Sequence, residues 1–224
     1  MSRVLAYCGF RHEPDMSLPS TGVRTAAVQV MAAARLRLLW SEVEWPLEPE
    51  RMQKNAVEFH EVVHHIFTQT AVIPFRLLSV FEDERALSGF AAEHAEAFVE
   101  DLERLKDCVQ MECVVFPTPS RAPANLGSGT AYLQEKAAIL TSADSFVQGV
   151  RDAVRHLSRE VSVREGKNGT RIFVLVDRGR ELEFRQAVSA LGLPEHLSRR
   201  ISGPWPAAEF LSERVRAPQI AGVK

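Results

Sequence analysis

Pro117-Thr118-Pro119-Ser120-Arg121-Ala122-Pro123-Ala124-Asn125 constrains this chain more than any other stretch. Each proline fixes φ near −65° and removes a backbone donor, so neither a helix nor a central strand can run through it. The stretch lies near the middle of 224 residues, a length that admits one large domain or two small ones. A boundary there predicts residues 1–116 as an N-terminal domain, 117–128 as a linker and 129–202 as a C-terminal domain. Residues 203–224 follow as a tail.

Both halves mix strand and helix patterns. In the first, Val4 to Phe10 reads as a strand and Val23 to Leu39 as a hairpin. Glu50 to Thr68 reads as a helix, with Met52, Ala56, Phe59, Val63 and Ile66 at 3–4 spacing. Val72 to Phe81 reads as a strand, and the acidic run Glu82-Asp83-Glu84 opens a helix reaching about Leu105. Val109 to Phe116 is a further strand. In the second half, a helix runs from near Gly129 to about Glu160, with a break expected at 141–144. Strands at Val161 to Arg164 and Thr170 to Val176 are joined through Asn168-Gly169, a strong hairpin signal. A helix over Glu181 to Leu191 and a last strand complete the order. Strands and helices in this sequence predict an α+β fold, with two small α/β-sandwich domains of ferredoxin-like variants joined by the Pro-rich linker.

The last strand runs into Gly203-Pro204-Trp205-Pro206. The prolines push Gly203 and Trp205 toward extended backbone, so the chain leaves its last element in a fixed direction. A Trp left in water forfeits a large apolar area, so Trp205 is expected to dock and pin the tail. The alternative is a clamp that faces a partner.

Composition removes several classes. A net charge of −2 argues against a general nucleic-acid binder. Cys8, Cys108 and Cys113 have no paired spacing and read as reduced thiols of a cytoplasmic protein. The apolar run near Met1 is too short for a signal peptide, and none approaches the roughly 20 residues a membrane span needs.

One pattern offers chemistry. His60-Glu61-Val62-Val63-His64 is an H-E-x-x-H sequence on a predicted helix, where two histidines four apart share a face. With a third ligand it would hold zinc, and Glu61 would serve as general base of a metallopeptidase. The same helix places His60 at the margin of the apolar stripe and His64 further toward solvent, as a flank pair would stand. Asn125-Leu126-Gly127-Ser128-Gly129 lacks the lysine of a phosphate-binding loop. The residues therefore imply no catalytic, cofactor-binding or metal residue, and no cofactor. A non-catalytic pair of ligand-binding regulatory domains is a further alternative.

Several motifs in one order resemble the gas vesicle synthesis protein F/L family (GvpF/GvpL). Gly203, Pro204, Trp205, Pro206, Phe210 and Leu211 match its Gly-Pro-Trp-Pro segment, whereas Ala207, Ala208 and Glu209 depart from it. Pro74, Arg76 and Phe81 match its apolar-Pro-x-Arg strand, with Leu77 and Leu78 replacing Phe and Gly. Gly129, Tyr132 and Leu133 match a Gly-x-Ala-Tyr-Leu helix start, and Val174-Leu175-Val176-Asp177 with Phe184 matches a late strand and helix. The resemblance implies a non-enzymatic protein with two α+β domains in gas vesicle biogenesis. Its role would be an assembly factor or a minor shell-associated component, cytoplasmic or on the vesicle. Its partners would be the small apolar shell protein and other vesicle accessory proteins.

Overall fold

The structure is a computed structural model that describes residues 1–33, 35–118, 129–166 and 169–216, with backbone alone for 129–140. It divides into two units. Met1–Asp107 and the segment from Pro206 onward form the first, and Cys108–Trp205 form the second.

The first unit orders β1 (Ser2–Phe10), β2 (Gln29–Ala33), β3 (Leu36–Glu44), α1 (Met52–Phe67), β4 (Val72–Pro74), β5 (Val80–Phe81) and α2 (Glu84–Arg104). Its sheet runs β2-β3-β1-β4, with β5 also on β1. Every pairing is antiparallel. β3 and β4 therefore run parallel with β1 between them, which makes β3-α1-β4 a split βαβ unit. Val4 through Phe10 are buried at every position, so both faces of this central strand are covered. On α1 the buried residues Phe59, Val62, Val63, Ile66 and Phe67 recur at helical spacing, and Phe59 meets Tyr7 of β1 at 5.2 Å between ring centroids. The Tyr7 hydroxyl accepts a bond from Val23 N at 3.0 Å. Burial pushes the Tyr7 pKa up. A Cβ on Gly22 would fall 2.2 Å from that hydroxyl, so Gly22 is the residue that lets the tyrosine in. On α2, Asp83 is the N-cap and accepts from Ala86 N at 2.7 Å, a contact worth about 1 kcal/mol. Phe90 and Phe98 of α2 pack on Phe75 at 6.0 and 6.1 Å.

The second unit orders β6 (Cys108–Pro117), α3 (Gly129–Val154), β7 (Ser158–Gly166), β8 (Gly169–Asp177), α4 (Glu181–Ser189) and β9 (Leu197–Trp205). This is β-α-β-β-α-β, and its antiparallel sheet runs β7-β8-β6-β9. That order is the ferredoxin-like arrangement, and the first unit is a variant in which the middle strand β1 comes first in the chain and β2 is added outside β3 as a hairpin. Met111, Val174, Ile172 and Cys113 are fully buried on one face. Arg199 of β9 closes α4, donating to Val188 O at 2.9 Å and Leu191 O at 2.7 Å. Its guanidinium lies 5.9 Å from the Phe146 ring centroid.

Four expectations change. The units divide after Asp107, not within 117–128, because β6 is bonded to β8 on one side and β9 on the other and so is central to the second sheet. Gly203 to Trp205 belong to β9 and not to the tail. Residues 119–128 lie outside the described residues. The strand expected over Val72 to Phe81 is two short strands split by a turn. The helix from Gly129 has no break at 141–144 and stops at Val154, where a turn over 155–157 leads into β7.

Candidate functional site

The C-terminal motif is the most elaborated feature of the chain, and its two halves belong to different units. In the second unit, Gln110 pairs with Trp205 and Glu112 with Ser202, so β9 carries one extra residue against β6. That bulge is made at Gly203, whose φ is +112°, and the Gly203–Pro204 peptide is cis. A Cβ on Gly203 would stand 2.8 Å from Gln110 O and 2.9 Å from Met111 Sδ, so only glycine serves there. Arg185 donates to Gly203 O.

A polar chain braces the bulge from one side. Arg171 Nε donates to Glu112 Oε1 at 2.6 Å, and Ser202 Oγ donates to Glu112 Oε2 at 3.0 Å. Trp205 Nε1 donates to Ser202 Oγ at 3.3 Å. Glu112 is buried, so both of its oxygens need these partners. Trp205 itself is 36% exposed. The aromatic expected to dock is thus a partly wet one held by its indole N–H.

Docking falls instead to the other half of the motif. In the first unit Pro206 and Ala207 are buried, and a 3₁₀ turn at Ala208–Phe210 delivers Phe210, which is 4% exposed. Leu211 and Val215 are buried with it. Asp101, buried on α2, accepts from Ser212 N at 2.7 Å and from Arg104 Nη2 at 3.0 Å. Arg104 donates in turn to Phe210 O. One carboxylate and one guanidinium thereby hold the main chain of the segment on either side of Leu211.

The other motif residues are scattered. Pro74 ends β4 opposite Cys8, on an edge strand where a missing donor is tolerated. Phe75 N donates to Tyr7 O at 2.8 Å and Ala6 N to Ser79 O at 3.1 Å, so Arg76, Leu77 and Leu78 form a turn that bows out of the ladder on β1. Ser79 Oγ accepts from Arg76 N at 3.1 Å and closes it, while the Arg76 side chain is exposed. Gly129 is the first residue of α3. The side chains of Tyr132 and Leu133 lie outside the described ones.

His60, Glu61 and His64 stand on the exposed side of α1. The two imidazoles stack at 5.5 Å between centroids. Partial burial, then the neighbouring His64, lowers the His60 pKa below its usual value. His65 turns away to Ser17, with Nε2 3.0 Å from Oγ. Among the described residues no group of three or more His, Cys, Asp and Glu gathers as metal ligands, so the pair has no third protein ligand within that set. All three cysteines are buried. Burial pushes the Cys113 thiol up to about 11 and the Cys8 thiol further, which keeps both protonated at neutral pH.

A family model, "Gas vesicle synthesis protein GvpL/GvpF", matches residues 3–212. The chain belongs to the GvpL/GvpF family. Solved structures of gas vesicle proteins share its fold. The gas vesicle protein GvpF from Anabaena sp. PCC7120 superposes with a TM-score of 0.76 at 16% identity, covering 95% of this chain and 97% of that one. GvpF from Microcystis aeruginosa gives 0.74 at 15% identity, covering 94% of this chain and 99% of that one. None of the curated proteins matches it in sequence. Among the described residues of this GvpL/GvpF member, no helix is long and apolar enough to cross a membrane.

Sequence reasoning missed the residues that fix the family motif, namely Asp101, Arg104, Glu112 and Arg171. Asp101 carried a signal. It lies three residues after Phe98 and beside Leu102, so the carboxylate falls on the apolar stripe of α2 and needs a buried partner. Glu112 sits likewise between Met111 and Cys113 in a strand whose one other polar side chain is Gln110.

Proposed function

We propose that this chain is an assembly factor of gas vesicles that works by binding the small, apolar shell protein and handing it on to the growing particle. The observation that carries this reading is the family match over residues 3–212, which takes in both units and the whole C-terminal motif. The physical rationale is simple. A shell subunit that faces gas on one side exposes more apolar surface than a soluble monomer tolerates, and a partner must cover that surface before assembly. Binding is all that such a role asks, with no bond made or broken and no cofactor. The protein works in the cytoplasm and at the vesicle, alongside the other vesicle accessory proteins.

The test is deletion and complementation in a gas-vesicle-forming host, followed by co-purification. Loss of flotation on deletion, restored by the intact chain, together with capture of the shell protein, is expected. Unchanged vesicles on deletion and no capture would overturn the reading. Washing intact vesicles in urea separates the two forms of the role. A chain that stays with the particle is a minor shell-associated component, and one that leaves is an assembly factor.

A further inference from the structure

A sheet edge presents unpaired backbone N–H and C=O groups, and proteins defend such edges with charge, proline or interruptions. The two sheets here have four outer strands, and three are defended. β7 carries Arg159, Glu160, Arg164 and Glu165, and β9 carries Arg199, Arg200 and Pro204. The β4/β5 edge is broken by Pro74 and by the bowed turn from Arg76 to Ser79. The fourth, β2, reads Gln29-Val30-Met31-Ala32-Ala33 with no charge and no proline. Its one partner strand is β3, and among the described residues no other backbone hydrogen-bonds to it. Val30 is 42% exposed, and Ala32, two residues on and on the same face, is exposed as well.

We propose that the outer edge of β2 is where the first unit takes up an extended, uncharged, apolar segment of the shell protein by strand addition, a proposal that rests on the assembly reading above. Main-chain groups of β2 supply the hydrogen bonds, and Val30 and Ala32 supply an apolar flank for the incoming side chains. The occupant must be a strand, because a helix has no free backbone groups along its length to offer an edge. It must be uncharged and apolar, because β2 offers no ionic partner and would desolvate any charge set against Val30. The Arg37 side chain opposite Ala32 belongs to β3 and is half-buried one strand inward. Such a segment is also the kind that aggregates through its own edges when unpaired, so capping it is the service an assembly factor would give.

The test co-expresses the shell protein of the same vesicle system with the intact chain, with Val30→Lys/Ala32→Lys, and with Val57→Lys/Leu182→Lys as a charge-matched control at exposed sites elsewhere. Thermal melting checks that each variant folds. Amide hydrogen exchange on the wild-type complex reads the edge without any variant. Capture is expected to fall about tenfold or more for Val30→Lys/Ala32→Lys and to persist in the control, with new protection at residues 29–33. Capture undiminished in the edge variant, or exchange at 29–33 unchanged on binding, overturns strand addition while leaving the assembly reading intact. Equal loss in the control overturns it too, since charge alone would then be the cause. Failure of the wild type to capture any shell protein brings down the assembly reading itself. A wild-type dimer that the edge variant dissociates, with shell capture unchanged, overturns the proposal in favour of a second copy on β2.

Discussion

Gly203 to Trp205 and Pro206 to Val215 are neighbours in the chain and parts of one motif, yet opposite forces hold them. The first is a strand end. Its register on β6, the bulge at Gly203 and the line from Arg171 through Glu112 and Ser202 to the indole are all directional and polar. The second is a short 3₁₀ turn followed by the start of a helical turn at 213–216, and is held by burial of Phe210, Leu211 and Val215 with two polar anchors on α2. Polar bracing sets geometry and contributes little net free energy per bond, whereas apolar burial contributes much and directs little. The motif uses the first where the chain must turn and the second where it must stay.

If that contrast is right, substitutions in the second half cost most. Phe210→Ala removes a nearly fully buried ring and should destabilise the first unit by about 3–5 kcal/mol, read as a lowered denaturation midpoint. A loss under about 1 kcal/mol would mean that the pocket collapses around the gap and that burial is not what holds the segment. Asp101→Ala comes next. It strands Ser212 N and frees Arg104, at a cost of about 2–3 kcal/mol, and hydrogen exchange should rise at Ser212 before the rest of the unit opens. Uniform exchange across the unit would show that the anchor has no local role.

Much of the architecture was legible because its signals are local. The apolar run of β1, the helical spacing on α1, the acidic run that opens α2 and the β7–β8 hairpin each declare themselves within ten or so residues. The placing of the histidine pair was legible for the same reason, since helical phase alone puts His60 at the margin of the stripe and His64 further toward solvent, and both are exposed. What failed is non-local. The prolines from Pro117 mark where a strand must stop, but β6 ahead of them belongs to the second sheet because it pairs with residues 55–95 positions downstream. Nothing within Cys108–Pro117 announces that allegiance. The expectation that Trp205 docks failed similarly, since Trp205 is 36% exposed and Phe210 4%. The anchors that hold the main chain beside Phe210, Asp101 and Arg104 of α2, lie a hundred residues earlier, where local chemistry does not see them.

Gly203→Ala tests the polar half at its tightest point. The positive φ and the approach to Gln110 O both oppose a Cβ, and a cost of about 1–3 kcal/mol is expected in the second unit. The effect should appear in that unit's transition and leave the first unit's midpoint alone. A shift confined to the first unit would show that the bulge serves to deliver Pro206 onward more than to finish β9, and the division drawn between the halves would fail.

Trp205→Ala should have the smallest effect, although Trp205 is the largest side chain of the motif. It gives up one indole hydrogen bond and only part of an apolar surface, so about 1 kcal/mol is the expected cost by denaturant titration. Because the fold survives, the same variant reports on binding without ambiguity. Capture of the shell protein unchanged in Trp205→Ala makes the tryptophan a brace for Ser202 and Glu112. Capture lost with the midpoint intact makes its exposed face a contact, and the motif would then combine a pinned half with a presented one. A loss of 3 kcal/mol or more, the range of a fully buried aromatic, would contradict both the exposure of Trp205 and the contrast between the halves.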